Sequence, residues 1–292
     1  MMAFGFAGQK TRLISDEGSR NMSDLVMYFV TPCLIINSFS RKFDSSKLKE
    51  LLFVLLVVIL IHAFNIILAT LIFRDKQKAL SRVFRFGVVF ANSGYMGIPL
   101  QQAIFGDDGV FYGTAYVVIF QLTLWSYGLI CMSGDKQYIS AKKLLINPGI
   151  IGTVLGLTVF ITSLPIPDVF GGVISSIANL NTPLAMIVIG FSLAKSNFVS
   201  ALKLPVTYLL SFLRLIFIPL VAMGALYISG VRGIIPVSVI VSASAPIAAA
   251  TTMFATRFKN DSVTASNLVA ITTLLSIITM PFIVALAQSI FL

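Results

Sequence analysis

The chain has 292 residues, 57% of them hydrophobic and 11% charged, with a formal net charge of +10; soluble domains carry roughly 45–50% and about 25%. A mean hydropathy of +0.96 leaves no room for a sizeable soluble domain, and basic residues gathered between apolar runs belong to loops at a membrane face rather than to a nucleic-acid surface. One histidine and two cysteines are too few for a disulfide framework or a metal cluster, and no phosphate loop or cofactor motif is present.

The opening residues Met1 to Gly8 are apolar but far short of the ~20 residues a crossing needs, and they read as the tail of a first helix that is largely missing. Apolar spans follow at 22–39, with Thr31-Pro32 inside, and at 51–73, with His62 and Asn65 inside. The next runs, 86–105 and 110–132, are separated by the acidic turn Gly106-Asp107-Asp108-Gly109. After a polar stretch at 133–147 come 149–164, 171–194 with Thr182-Pro183, 205–228 with Arg214, 239–258 and 262–291. The expectation is an all-α integral membrane protein of nine crossings and a stub.

Two of these spans are built to stop a helix. FGVVFANSGYMGIPLQQAIF, residues 86–105, holds Asn92, Ser93, Gly94, Gly97 and Pro99 in its middle. Each glycine costs a helix interior roughly 1 kcal/mol and the proline about 3. In hydrocarbon, freed backbone groups find no water and cost several kcal/mol each, so such a break survives only where protein or a wet cavity satisfies it. The second break, in residues 239–258, carries Ser242, Ser244 and Pro246. Pro99 and Pro246 lie 147 residues apart, about half the chain, and Thr31-Pro32 and Thr182-Pro183 lie 151 apart. Paired broken segments in corresponding halves point to a secondary transporter with its site at the repeat interface. The expected organisation is a first repeat at 1–132, a cytoplasmic linker at 133–147 and a second repeat at 148–292. Five crossings per repeat would place the second upside down relative to the first.

Loop charge gives the orientation. With the first loop in the cytoplasm, fifteen of the 21 basic residues fall on that side, among them Lys76, Lys78, Lys136, Lys142 and Lys143. Five fall outside, four of them in the dissenting cluster Arg41, Lys42, Lys47 and Lys49, and Arg214 lies within a span.

The run Asn92-Ser93-Gly94-Tyr95-Met96-Gly97-Ile98-Pro99 is similar to the broken-helix signature of the auxin efflux carrier family, which includes the plant PIN carriers and bacterial permeases assigned to malate and related carboxylates. The resemblance continues through Phe105-Gly106, Asn147-Pro148, Ser244-Ala245-Pro246 and TTLLSIITMP at 272–281. It implies ten helices in two inverted five-helix repeats whose fourth and ninth helices are broken and cross near the membrane centre.

If the breaks cross, half-helix N-termini with their unpaired N–H donors would suit a carboxylate. The candidate substrate-binding residues are Asn92, Ser93, Gly94, Gly97, Pro99, Ser244, Ala245, Pro246 and Thr251, with amide and hydroxyl donors from Asn92, Ser93, Ser244 and Thr251. His62, Arg214 and Asp24 are candidates for coupling or support: His62 as a proton carrier or a bonded bundle histidine, Arg214 as an attractor of the anion or a partner of backbone carbonyls, Asp24 as an interfacial charge. The expected activity is transport of small mono- or dicarboxylates across the plasma membrane of a bacterial cell by alternating access, without cofactor or metal. A channel or uncoupled facilitator and an intramembrane enzyme are the alternatives. Proton or sodium coupling and a homodimer both stay open.

Overall fold

The computed structural model describes residues 1–75, 79–135, 137, 147–196 and 202–292; Lys76, Lys78, Lys136, Lys142 and Lys143, and most of the expected linker, lie outside the described residues. Among the described residues eleven helical runs follow one another: α1 Met2–Lys10, α2 Asp16–Phe39, α3 Ser45–Ile72, α4 Ala79–Val89, α5 Ser93–Ser133, α6 Pro148–Thr162, α7 Asp168–Lys195, α8 Pro205–Ile228, α9 Ile234–Ala243, α10 Ala250–Arg257 and α11 Ser262–Phe291. No strand occurs among the described residues; one isolated antiparallel bridge joins Ala91 to Ile247.

Six runs, α2, α3, α5, α7, α8 and α11, are long and apolar enough to cross a membrane. The other three expected crossings are shorter pieces. Helix α6 has 15 residues. The two broken spans are composites, α4 with the first arm of α5, and α9 with α10. Gly106 divides α5 into its two arms at φ 59° and ψ −140°, a conformation open to glycine and strained for any residue with a Cβ.

Local sequence explains where the helices begin. The Asp44 carboxylate accepts from Ser46 N at the start of α3, the Asn147 amide oxygen from Gly149 N at the start of α6, and the Asp261 carboxylate from Thr264 N at the start of α11. Each satisfies one of the orphan donors of a first turn. Pro148 follows Asn147 at the first helical position, where a missing N–H costs nothing.

The helix packing is reciprocal between the halves. Helix α1 lies on the second half of α7, and α6 lies on the Thr31–Phe39 part of α2. The first approach is close enough that a Cβ on Gly190 would sit 1.9 Å from Met2 O, so only glycine permits it. In the second, a Cβ on Gly152 would sit 2.7 Å from Pro32 Cα.

Loop contacts sort into two ends. At one end Lys195 pairs with Asp16, Arg85 bonds Phe73 O, and Asn260 Nδ2 donates to Met132 O at 2.8 Å. At the other, Phe43 N donates to Ser163 Oγ at 2.9 Å and Gly233 N to Phe291 O at 2.9 Å. There Asp108 accepts from Arg41 at 2.6 Å and Lys47 at 2.8 Å. The basic cluster that dissented from the loop-charge pattern is therefore partly neutralised by the acidic turn after Gly106.

Candidate functional site

The two breaks meet. After α4 ends, residues 90–92 run antiparallel to 246–248, with Asn92 N donating to Pro246 O at 2.8 Å and Ala248 N to Phe90 O at 2.9 Å. The freed backbone groups of each broken helix thus find partners in the other, as hydrocarbon surroundings demand. Ile247 N donates to Thr272 Oγ1 at 3.3 Å, which ties the seam to α11.

Three more carbonyls at the seam are held by one side chain. Arg214, in a π turn of α8, is 0% exposed. Its Nε donates to Ala245 O at 3.0 Å, its Nη2 to Ala243 O at 2.7 Å, and its Nη1 to Val88 O at 3.4 Å. One guanidinium therefore bonds the C-terminal ends of both first half-helices, α4 and α9. A central arginine costs at least about 2.5–3.5 kcal/mol to insert, and these three bonds are the partners that make it tolerable. Of the two readings of Arg214, pairing with carbonyls at broken helix ends is the one seen.

Beyond the seam, each broken helix restarts. The first arm of α5 opens in a π turn, Ser93–Gly97, with Asn92 O accepting from Met96 N at 3.0 Å. Asn92 is 6% exposed and its side chain makes no capping bond; its Nδ2 and the Ser93 Oγ lack a hydrogen-bond partner. In the first turn of α10 the Thr251 Oγ1 is equally buried and unpartnered. Buried polar atoms are normally satisfied; here an amide and two hydroxyls beside the two restarting helices have no protein partner.

The remaining candidates divide. Ala245 O and Pro246 O are already engaged by Arg214 and Asn92 and so hold the seam, whereas the Ser244 hydroxyl donates to Val241 O of its own helix at 2.9 Å. Gly94 and Pro99 are partly exposed, and Gly97 lies against Ser242. Asp24 is exposed on α2, and Tyr95 OH, from the π turn that restarts the first broken helix, donates to the neighbouring Ser23 O at 3.4 Å. His62 is buried and donates from Nδ1 to Val58 O at 2.9 Å, which leaves Nε2 as an acceptor without a partner. Its ring lies 5.2 Å from that of Tyr116, whose hydroxyl is beside Arg214. His62 therefore stands one residue behind the seam, with Asn65, also buried, on the same face of α3.

Sequence reasoning passed over three contributors. Gln101 is fully buried, and its Nε2 donates to Ser242 Oγ at 2.7 Å and Ser238 O at 3.2 Å, fastening the first arm of α5 to α9. Asn181 Nδ2 reaches Gly94 O at 3.5 Å from α7. Thr272 is the third. A long polar side chain inside an apolar span was the available signal for Gln101 and Asn181; nothing local distinguishes Thr272 from other hydroxyls that bond their own helix.

Among the described residues no group of three His, Cys, Asp or Glu side chains could hold a metal. A cleft of about 440 Å³, lined by Asn37, Ser40, Arg41, Phe105, Asp107 and Asp108, opens at the Asp108 end and not at the seam.

A family model described as membrane transport protein matches residues 1–284. A protein of Methanothermobacter thermautotrophicus named an uncharacterized transporter is 25% identical over 289 residues, covering 96% of this chain and 93% of that protein. A second uncharacterized transporter, of Methanocaldococcus jannaschii, is 23% identical over 290 residues, 95% and 92% of the two chains.

Proposed function

Because the chain belongs to the membrane transport protein family, that of the auxin efflux carriers, we propose that it carries small organic anions, mono- or dicarboxylates, by alternating access. The observation that carries the substrate class is the set of open donors at the seam: Asn92 Nδ2, Ser93 Oγ and Thr251 Oγ1 are buried without partners where two helices restart. A helix start carries roughly half a positive charge and up to four unpaired N–H groups. Neutral donors added to that field hold a carboxylate without a permanent cation in direct contact, which permits release.

The reciprocal packing of α1 on α7 and of α6 on α2 supports two inverted repeats, 1–132 and 148–292, joined by the cytoplasmic segment 133–147. Two related bundles that bury the same type of contact from opposite sides can rock against each other around a fixed seam. Loop charge supports an orientation with the Lys195–Asp16 end facing the cytoplasm, and we take the membrane to be the plasma membrane. The seam residues are nearly inaccessible, with Asn92, Ser93, Ser244 and Thr251 at 0–6% exposure. That suits a closed intermediate of a carrier better than an open channel.

The test is uptake into proteoliposomes of purified protein, using a panel of labelled mono- and dicarboxylates with neutral analogues of equal size. Saturable uptake of carboxylates alone is expected. Equal uptake of the neutral analogues, or flux without saturation, would refute the anion-carrier reading.

A further inference from the structure

We propose that Asp108, shared between Arg41 and Lys47, is a latch that holds the Asp108 end of the protein closed, and that this end opens when the carboxylate leaves Arg41 and stays with Lys47. The inference rests on the carrier reading above and names the device that controls access to the seam from that end.

Helix packing divides the described helices into two groups. Helices α1, α2, α6 and α7 pack mainly on one another, while α3, α4, α5 and α8 to α11 form a second group that contains both breaks. The hydrogen bonds that run from one group to the other change along the boundary. Beside the seam they are long, with Tyr95 OH to Ser23 O at 3.4 Å and Asn181 Nδ2 to Gly94 O at 3.5 Å. At the Asp108 end they are shorter and carry charge. Arg41 Nη1 donates to Asp108 Oδ1 at 2.6 Å and Nη2 to Asp107 O at 3.1 Å, and Ser38 Oγ meets Thr114 Oγ1 at 3.3 Å.

Arg41 is fixed to the first group, since its Nε donates to Ser38 O in the last turn of α2 at 3.1 Å. Its guanidinium also lies 4.6 Å from the centre of the Phe111 ring of α5, on which Phe39 of α2 and Phe160 of α6 pack. One side chain thus clamps the corner of α5 at Gly106 onto the end of α2, over an aromatic layer contributed by both groups.

A latch has to release as well as hold. The same Asp108 Oδ1 accepts from Lys47 Nζ at 2.8 Å. Lys47 stands in the first turn of α3, which packs on α5 within the second group, and Glu50 of α3 accepts from Tyr112 OH of α5. When α5 moves off α2, Lys47 travels with Asp108 and keeps its charge paired. Arg41 stays behind on α2 with its side chain 21% exposed, beside the cleft lined by Asn37, Ser40 and Asp107. Release therefore strands no buried charge, which is the costly outcome for an ion pair, and loses only a partly exposed contact.

The experiment measures how fast a maleimide reacts with one cysteine behind the latch. Cys33 and Cys131 are replaced by Ala, and Ser38→Cys places a thiol at a position that is 4% exposed. The purified protein is held in nanodiscs without substrate. Arg41→Gln is expected to speed labelling about 2- to 5-fold, the population shift that a partly exposed ion pair supports. Lys47→Gln leaves both Arg41 contacts in place and removes the cation that retains Asp108, so labelling should not rise. High salt screens the pair and should speed labelling where Arg41 is present, with little further effect in Arg41→Gln.

Equal labelling with Arg41 and with Arg41→Gln overturns the proposal, as does a rise in Lys47→Gln as large as that in Arg41→Gln. Thr114→Cys, 1% exposed on the other side of the same boundary, is the second probe and should give the same order, so the test stands even if one probe variant does not fold. Carboxylate uptake by the same variants in proteoliposomes examines the carrier reading separately. Labelling that follows the latch with no carboxylate uptake would overturn the substrate class and leave the latch standing.

Discussion

Replacing Asn92 with Ala separates binding from scaffolding. The backbone of Asn92 is part of the seam, donating to Pro246 O and accepting from Met96 N, and an alanine keeps both bonds. Its side chain makes no capping bond, and Nδ2 is buried without a partner. The usual penalty of about 0.5–2 kcal/mol for losing a capping side chain therefore does not apply. An unsatisfied buried donor costs about 1–3 kcal/mol, so its removal should leave the unfolding temperature unchanged or raise it. If a substrate carboxylate accepts from this amide, the lost bond to a charged group is worth about 1.5–3 kcal/mol, or a roughly 10- to 150-fold weaker apparent affinity. The assay is carboxylate binding to purified Asn92→Ala beside its thermal unfolding, with saturation of uptake in proteoliposomes as a check. A lower unfolding temperature with unaltered affinity would refute the reasoning, since it would make Asn92 a support of the break and not a ligand of the anion.

Thr251→Val keeps the shape of a buried side chain and removes a hydroxyl without a partner; affinity should fall at least about 10-fold with stability kept, and unchanged affinity would place Thr251 outside the anion's reach. Gly190→Ala puts a Cβ 1.9 Å from Met2 O, so α1 must move off α7 at a cost of about 1–3 kcal/mol, read as a lower unfolding temperature and faster proteolysis at Lys10 and Arg12. Asp108→Asn breaks partly exposed ion pairs to Arg41 and Lys47; the loss should stay below about 1 kcal/mol and shrink further in high salt, and a large, salt-independent loss would contradict that picture.

How much was legible in the chain depends on the range of the physics involved. Helix breaks are local. Asn92 to Pro99 and Ser242 to Pro246 contain residues that cannot continue a helix, and the bilayer forbids leaving the freed groups unpaired. The break positions and the all-helical class could therefore be read directly, and with them the polar residues Asn92, Ser93 and Thr251 that lie beside the breaks. So could the resemblance carried by those motifs, because it runs through the residues that make the breaks. The pairing of loops at each end followed from apolar length and charge, although the Arg41–Lys49 cluster made sense only once Asp108 was found beside it.

Partnership was not legible, because it joins residues far apart in the chain. Arg214 lies 126 residues from Val88, and Gln101 lies 141 from Ser242. No local pattern tells whether a buried arginine faces an anion, a lipid headgroup or a carbonyl. The same holds for the hydroxyls: Ser244 and Thr251 look alike as residues in an apolar span, yet Ser244 bonds its own helix while Thr251 stays open. Composition and local propensity determined that two helices in this protein must break within the membrane. Only the tertiary structure decided that each break satisfies the other, because a backbone group freed in hydrocarbon takes whichever donor or acceptor the fold brings within 3 Å or so.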